Sequence, residues 1–156
     1  MQDNSYRNDR DEMRDLLKQF ENLRTGMSNG FLEEDSFEKI IDYFDEKDDI
    51  AKALEAVELG VGQFPYSASL MVKKADLLIA TRKYNDALEI LEKAEILDSS
   101  DIDIYILKTD VFLALDEHEK AVGLLEDAIS LFEGDNRINL LFELADASLA
   151  QPDGVV

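Results

Sequence analysis

The sequence predicts an all-α protein, an α-solenoid built from stacked helix–turn–helix repeats. Three observations predict it. Ala53, Ala87 and Ala121 stand 34 residues apart. Each opens a segment of one pattern: A-L-E-A-V-E-L-G from Ala53, A-L-E-I-L-E-K-A from Ala87 and A-V-G-L-L-E-D-A from Ala121. Polar breaks such as Glu46-Lys47-Asp48-Asp49, Thr81-Arg82-Lys83 and Asp116-Glu117 separate helix-length segments, and they are short enough to force antiparallel hairpins. A helix pair of this size cannot bury its apolar face alone, so a fixed period means that neighbours stack.

Taken in order, residues 1–8 are polar and without periodicity, which predicts a disordered tail. From Asp9 to Leu23 the apolar residues Met13, Leu16, Leu17, Phe20 and Leu23 recur every three or four positions, the stripe of an amphipathic helix. Gly26 marks the stop, and Thr25–Gly30 reads as a connector, so residues 9–33 form a helix and its link. Asp35 followed by Glu38 fits a capping box, in which each side chain accepts from an orphan amide of the first turn. Three pairs of helices follow, near 35–47 and 50–62, 68–81 and 84–97, 102–115 and 118–131, in repeats 34–67, 68–101 and 102–135. Gly60-Val61-Gly62 lacks the strand and the Lys-Ser/Thr pair of a phosphate loop and reads as a helix end before Phe64-Pro65.

A helix near 138–150 then stands unpaired. Leu70-Met71-Val72-Lys73-Lys74-Ala75-Asp76 aligns with Leu140-Leu141-Phe142-Glu143-Leu144-Ala145-Asp146, an offset of two repeats plus two residues. The insertion is expected in the loop Glu133-Gly134-Asp135-Asn136. Residues 136–150 are thus the first helix of a fourth repeat or a C-terminal cap, and 151–156, starting Gln151-Pro152, a tail. Leu140, Leu141, Phe142 and Leu144 are more apolar than a solvated cap needs, which points to a dimer contact or to a fragment of a longer array.

With the 34-residue period, Ala at the start of every second helix, Ala94 and Ala128 one crossing further on, Ala75 in the helix–helix contact, Tyr84 entering a second helix and Pro65 closing a repeat, the chain resembles the tetratricopeptide repeat over residues 34–150. The resemblance implies a right-handed superhelix whose first helices line a concave, peptide-binding face. The pattern departs at Lys74 and Lys108, which replace a usual Leu, and at Ile41 and Thr109, which replace a usual Gly or Ala; there is no Trp.

Charge bounds the partners. The chain has 36 acidic and 16 basic residues, a formal charge of −20. Such a surface repels phosphate backbones and anionic lipid, so neither nucleic acid nor membrane is expected. The first 33 residues are near balance at −2, so the acidity belongs to the repeats. With no cysteine, thiolate metal sites and cysteine nucleophiles are absent from this chain. A polar N-terminus and no membrane-length apolar run lead us to expect a cytoplasmic protein.

On the face that the resemblance assigns to ligands, Asp42, Asp76, Asp110 and Asp146 form one column, a ladder with rungs about 10 Å apart for successive basic groups. The plain alternative is that these positions are merely solvated, where Asp is tolerated. Beside the ladder run Val72–Ile106–Phe142 and Ile79–Leu113–Leu149, either an apolar groove or contacts to neighbouring helices. The first repeat offers Glu38, Asp42, Asp45 and Glu46 at the corresponding places, so that end is strongly negative. One branch of the family grips a chaperone's C-terminal carboxylate with Lys, Asn and Arg here. In this chain the places hold Glu38, Asp42, Asp103 and Leu107, with Lys73 as the one match, so a carboxylate clamp is not expected.

No catalytic or metal site is assigned, and no cofactor is expected. His118, which has no second His to join it, is expected to pack between helices where Tyr84 sits one repeat earlier. The acidic turns 45–49 and 98–103 lack the Gly and terminal Glu of a calcium loop. The expected function is a non-catalytic scaffold whose acidic and apolar groove binds a basic or amphipathic segment of a partner protein. Two alternatives stand beside it: a self-associating module, such as a homodimer through the terminal helices, or a regulatory fragment of a larger enzyme or adaptor. The N-terminal helix either caps the first repeat or, with Arg10, Arg14, Lys18 and Arg24, docks in an acidic groove of its own or another chain.

Overall fold

A computed structural model describes residues 2–150, with side chains from Ser5 onward. Met1 and the expected tail 151–156 lie outside the described residues. All regular structure among the described residues is helical: α1 (Gln2–Arg24), α2 (Glu34–Glu46), α3 (Ile50–Gln63), α4 (Ala68–Ala80), α5 (Tyr84–Leu97), α6 (Ile102–Ala114), α7 (His118–Ile129) and α8 (Gly134–Ala150). The chain divides between Leu77 and Leu78, inside α4, into two compact units.

In the first unit, α2 and α3 pair around Phe37, Ile40, Ile41, Phe44, Ala53, Ala56 and Val57, all buried. Ala53 is small because the helices meet there: it is 0% exposed. The stripe of α1 packs onto the same core through Leu16, Leu17, Phe20 and Leu23, with the Phe20 and Phe44 rings 5.6 Å apart. Helix α1 therefore caps the first unit. Its start corrects the expected disordered tail: residues 2–8 are helical. Residues 5–12 bury nothing, but no Gly or Pro interrupts them, and missing apolar periodicity reports missing burial rather than missing helix.

The capping box at Asp35 does not form. Helix α2 starts one residue earlier, and its N-cap, Glu33, makes no side-chain cap bond; Glu34 and Asp35 sit in the first turn, where the helix dipole favours them. The Ser67 hydroxyl instead donates to the Glu34 carboxylate while its oxygen accepts from Leu70 N at 3.2 Å, so one serine caps α4 and ties it to α2.

The breaks between paired helices share one backbone design. Asp48, Arg82 and Asp116 have φ of 57°, 61° and 62°, and they stand 34 residues apart. At each, two amides bond back onto the helix end: Asp49 N to Phe44 O at 2.9 Å and Asp48 N to Asp45 O at 3.0 Å in the first unit. Lys83 N to Leu78 O at 2.8 Å with Arg82 N to Ile79 O at 2.9 Å, and Glu117 N to Phe112 O at 2.7 Å with Asp116 N to Leu113 O at 3.1 Å, repeat it in the second. This is the Schellman closure of a helix C-terminus, here without glycine.

In the second unit, Leu78, Ala87 and Val111 form a core with Ile79, Tyr84, Leu88, Ile90 and Leu115 against it. Ala121, Leu125 and Ala128 are buried on α7, and Leu140 and Ala147 on α8, which packs on α7 and touches α6. The inserted residues do not lengthen the loop as expected. Helix α8 begins at Gly134, whose φ of 62° makes the turn, and the surplus extends the helix toward its N-terminus.

The departures at Lys74 and Lys108 have partners. Lys74 Nζ lies 2.9 Å from Glu58, and Lys108, 9% exposed, pairs with Glu95. Thr109 is fully buried with its hydroxyl donating to Tyr105 O at 2.8 Å, which satisfies the polar group within its own helix.

Candidate functional site

The ten residues singled out by the sequence fall in both units. In the first, α2 carries Glu38, half-buried, and Asp42 and Asp45, both exposed. Two of these acids are engaged by α4: Glu38 accepts from the Ser69 hydroxyl at 2.6 Å, and Asp42 pairs with Lys73 Nζ at 2.7 Å. Asp76 is exposed on α4. Val72 does not serve as an open groove residue, because it is 9% exposed. Helix α4 buries Leu70, Met71, Val72, Ala75, Leu77 and Leu78, most of its circumference, so little of its apolar surface is left to a ligand.

In the second unit, Ile79 is half-buried against the core around Leu78. The face of α6 carries Ile106, Asp110 and Leu113 at spacings of four and three, which align them on one side of the helix. Asp110 is exposed and the two apolar residues are half-buried. Helix α8, in contact with α6, repeats the triplet as Phe142, Asp146 and Leu149. Here the apolar members are open: Phe142 is 68% and Leu149 84% exposed. The rows expected to line a groove are thus buried at Val72, half-buried on α6 and bare on α8. Leu141 and Ile138 add to the apolar exposure of α8. Residues 78–156 hold eighteen acidic and six basic side chains, so a strongly negative potential surrounds this apolar surface.

His118 is half-buried at the start of α7, with Nε2 2.8 Å from Asp116 Oδ1. Among the described residues, no group of three or more His, Asp or Glu is placed to hold a metal ion, and no helix is long and apolar enough to cross a membrane.

No protein-family model matches the chain, and no curated protein matches it. Solved structures do. The TPR2B domain of yeast Sti1 in complex with pHsp70 superposes with a TM-score of 0.67 at 19% identity, over 74% of this chain and 96% of that one. The first TPR of Spaghetti (RPAP3), bound to the HSP90 peptide SRMEEVD, gives 0.64 at 20% identity over 73% and 91%. A putative kinesin light chain from Podosopora anserina, with nearly identical TPR-like repeats, gives 0.68 at 15% identity over 91% and 80%. The 34-residue period, the paired helices and these superpositions agree, and the chain has the fold of a tetratricopeptide-repeat array.

Proposed function

We propose that the chain is a non-catalytic protein-interaction module and that the α6/α8 face binds a basic amphipathic segment of a partner protein. The observation that supports this most is the repeated triplet, Ile106-Asp110-Leu113 and Phe142-Asp146-Leu149, with Phe142 and Leu149 bare to solvent. Covering exposed apolar area is worth about 25 cal/mol per Å², and an acid between two apolar residues rewards a ligand that places a cation between two of its own. In the first unit Glu38, Asp45 and Asp76 add negative charge, and Lys73 already pairs with Asp42.

The ligand charge distinguishes this chain from proteins of the same fold. The SRMEEVD peptide held by Spaghetti carries three acidic side chains. A face with Asp103, Asp110 and Asp146 repels such a peptide and selects its opposite.

Fluorescence anisotropy of a labelled basic amphipathic helical peptide and of its charge-reversed twin tests the reading. Wild-type protein should bind the basic peptide, about tenfold more weakly at 500 mM than at 50 mM salt, and ignore the twin. Asp110→Lys with Asp146→Lys should lose at least tenfold. Equal binding of both peptides, or an unchanged affinity in that variant, would overturn the proposal.

A further inference from the structure

From Ser5 to Asp11, α1 is an exposed helical rod. From Ser5 to Glu12 every residue is exposed; Glu12 ties the helix to α2 by accepting from Lys39 Nζ at 3.1 Å, and packing on the first unit is continuous from Leu16 onward. Arg7, Arg10, Arg14 and Lys18 follow one another at three- and four-residue spacings, which draws them into a single stripe, and all four are exposed. Arg14 is only loosely engaged: its pairing with Asp11 is 4.0 Å long between side chains that are 79% and 71% exposed. Tyr6, 70% exposed, and Met13, half-buried, flank the stripe. Asp9, Asp11, Glu12 and Asp15 balance these four cations, and Asp9, Glu12 and Asp15 turn to other sides of the helix, so it is the cation stripe, with Tyr6 and Met13 beside it, that has the chemistry the α6/α8 face is suited to accept.

Spacing agrees with charge. Arg7 and Arg14 are two helical turns apart, about 10.5 Å along the axis, and packed neighbouring helices generally lie about 8–10 Å apart. A rod crossing α6 and α8 therefore reaches Asp110 with one arginine and Asp146 with the other, and brings Tyr6 or Met13 over Phe142.

We propose that the α1 rod of one molecule docks on the α6/α8 face of a second copy, a head-to-tail self-assembly that rests on the reading of that face given above. The contact is heterologous: the rod belongs to the first unit and the face to the second, so association either closes reciprocally into a dimer or ring or continues into open chains. It is small and charge-driven, hence weak and salt-sensitive.

Sedimentation velocity on the full chain at 50 and 500 mM NaCl tests this. For wild type, the mean mass should rise above that of a monomer with concentration at 50 mM and fall to that of a monomer at 500 mM. The rod variant Arg7→Glu/Arg10→Glu/Arg14→Glu and the face variant Asp110→Lys/Asp146→Lys should each lose association at least tenfold. Mixing the two variants should restore it, since each then meets its opposite charge. A wild-type monomer at every concentration, or assembly indifferent to both reversals, overturns the inference. So does a monomeric wild type whose affinity for the basic peptide rises when the rod is reversed, because the rod then covers a face of its own chain. Peptide binding separates the two readings. A wild type that binds the peptide without assembling refutes only this one, and a wild type that does neither refutes both.

Discussion

Lys73 Nζ lies 2.7 Å from Asp42 Oδ1, and one turn away on the same two helices the Ser69 hydroxyl lies 2.6 Å from Glu38. The two contacts bridge α2 and α4 side by side. Asp42, the first rung of the column that the sequence presents to a ligand, and Glu38 at the same acidic end therefore serve as bonds between helices. Asp42 has spent its charge on a neighbour, and a ligand would have to displace Lys73 to use it. The side chains are 55% and 27% exposed, so the pair contributes on the order of 0.2–1 kcal/mol.

Lys108 and Glu95 make a more enclosed pair, with side chains 11% and 34% exposed. Removing one partner strands the other. Glu95→Ala should cost about 1–3 kcal/mol in urea unfolding, below the figure for a fully buried pair because Glu95 is a third exposed. Lys108→Leu, the residue usual at this place in the repeat that the chain resembles, removes the desolvated cation and should be neutral or stabilising. In the double variant the cost of Glu95→Ala should largely vanish. A cost that persists would show that Glu95 acts through packing and not through charge.

The alanines that announced the fold are where tight packing requires them: Ala53, Ala87 and Ala121 are each fully buried. Periodicity located every helix from α2 to α7 because burial is what apolar spacing encodes. It misled at residues 2–8, expected as a disordered tail but helical, because from Ser5 to Glu12 the helix is exposed throughout, and it was silent about the left-handed turn residues, which are Asp, Arg and Asp with no glycine to mark them. The Ser67 cap was within reach, since a serine directly before a helix is a start signal. For the site, spacing put Ile106, Asp110 and Leu113 on one face of α6. It could not tell that Val72 is buried while Phe142, at the same place in the pattern, is bare, because exposure depends on what covers each helix.

Gly60 and Gly123 should respond to alanine with opposite signs. Gly60 occupies the place of Ala94 and Ala128, but a Cβ there would lie 3.2 Å from Phe37 Cγ and 3.3 Å from Leu70 Cδ1. Phe37 and Leu70 are both 0% exposed and have no room to yield. Overpacking of about 1–3 kcal/mol then exceeds the roughly 1 kcal/mol that alanine gains over glycine in a helix, so Gly60→Ala should destabilise by about 1 kcal/mol. A Cβ at Gly123, within α7, meets nothing within 4 Å. Gly123→Ala should therefore keep the propensity gain and stabilise by about 0.5–1 kcal/mol, read as a rise in the urea midpoint.

Asp101 gives a pH signature of defined sign. It caps α6 by accepting from Asp103 N at 2.9 Å, yet burial, helped by Asp103 and Asp98, raises its pKa above the ordinary value of 3.8. A raised carboxyl is held more tightly as the acid in the folded protein, so folding loses stability as pH rises through that interval. Asp101→Asn keeps the acceptor, because asparagine caps as well as aspartate, and removes the charge. The variant should be the more stable protein at pH 7, with the advantage shrinking toward about pH 3, where Asp101 is itself neutral. Asp98 works in the opposite direction. The Ser100 hydroxyl and backbone amide lower its pKa, so its contribution is present above 3.8 and is lost as acid protonates it. An advantage of Asp101→Asn that stayed constant with pH would rule out charge as its origin.

Arg82 is the least suited of the three left-handed turn residues. At φ of 57–62° a side chain meets the following carbonyl, a cost of roughly 1–2 kcal/mol for ordinary residues. Asp48 and Asp116 are partly relieved of it, since short polar side chains tolerate this region, whereas the long arginine has no such local compensation. Arg82 is also exposed, so replacing it forfeits little packing. Glycine removes the strain but enlarges the unfolded ensemble, and the difference leaves a gain of about 0.5–1 kcal/mol for Arg82→Gly. Gly134, at φ of 62°, supplies the reciprocal test. Its Cβ would find open space, so Gly134→Ala isolates the backbone term and should cost about 1 kcal/mol without any clash. Paired urea titrations decide the matter: opposite shifts from the two substitutions attribute the turn energetics to backbone strain, and a loss of stability in Arg82→Gly would mean that the arginine side chain holds the turn by its own contacts.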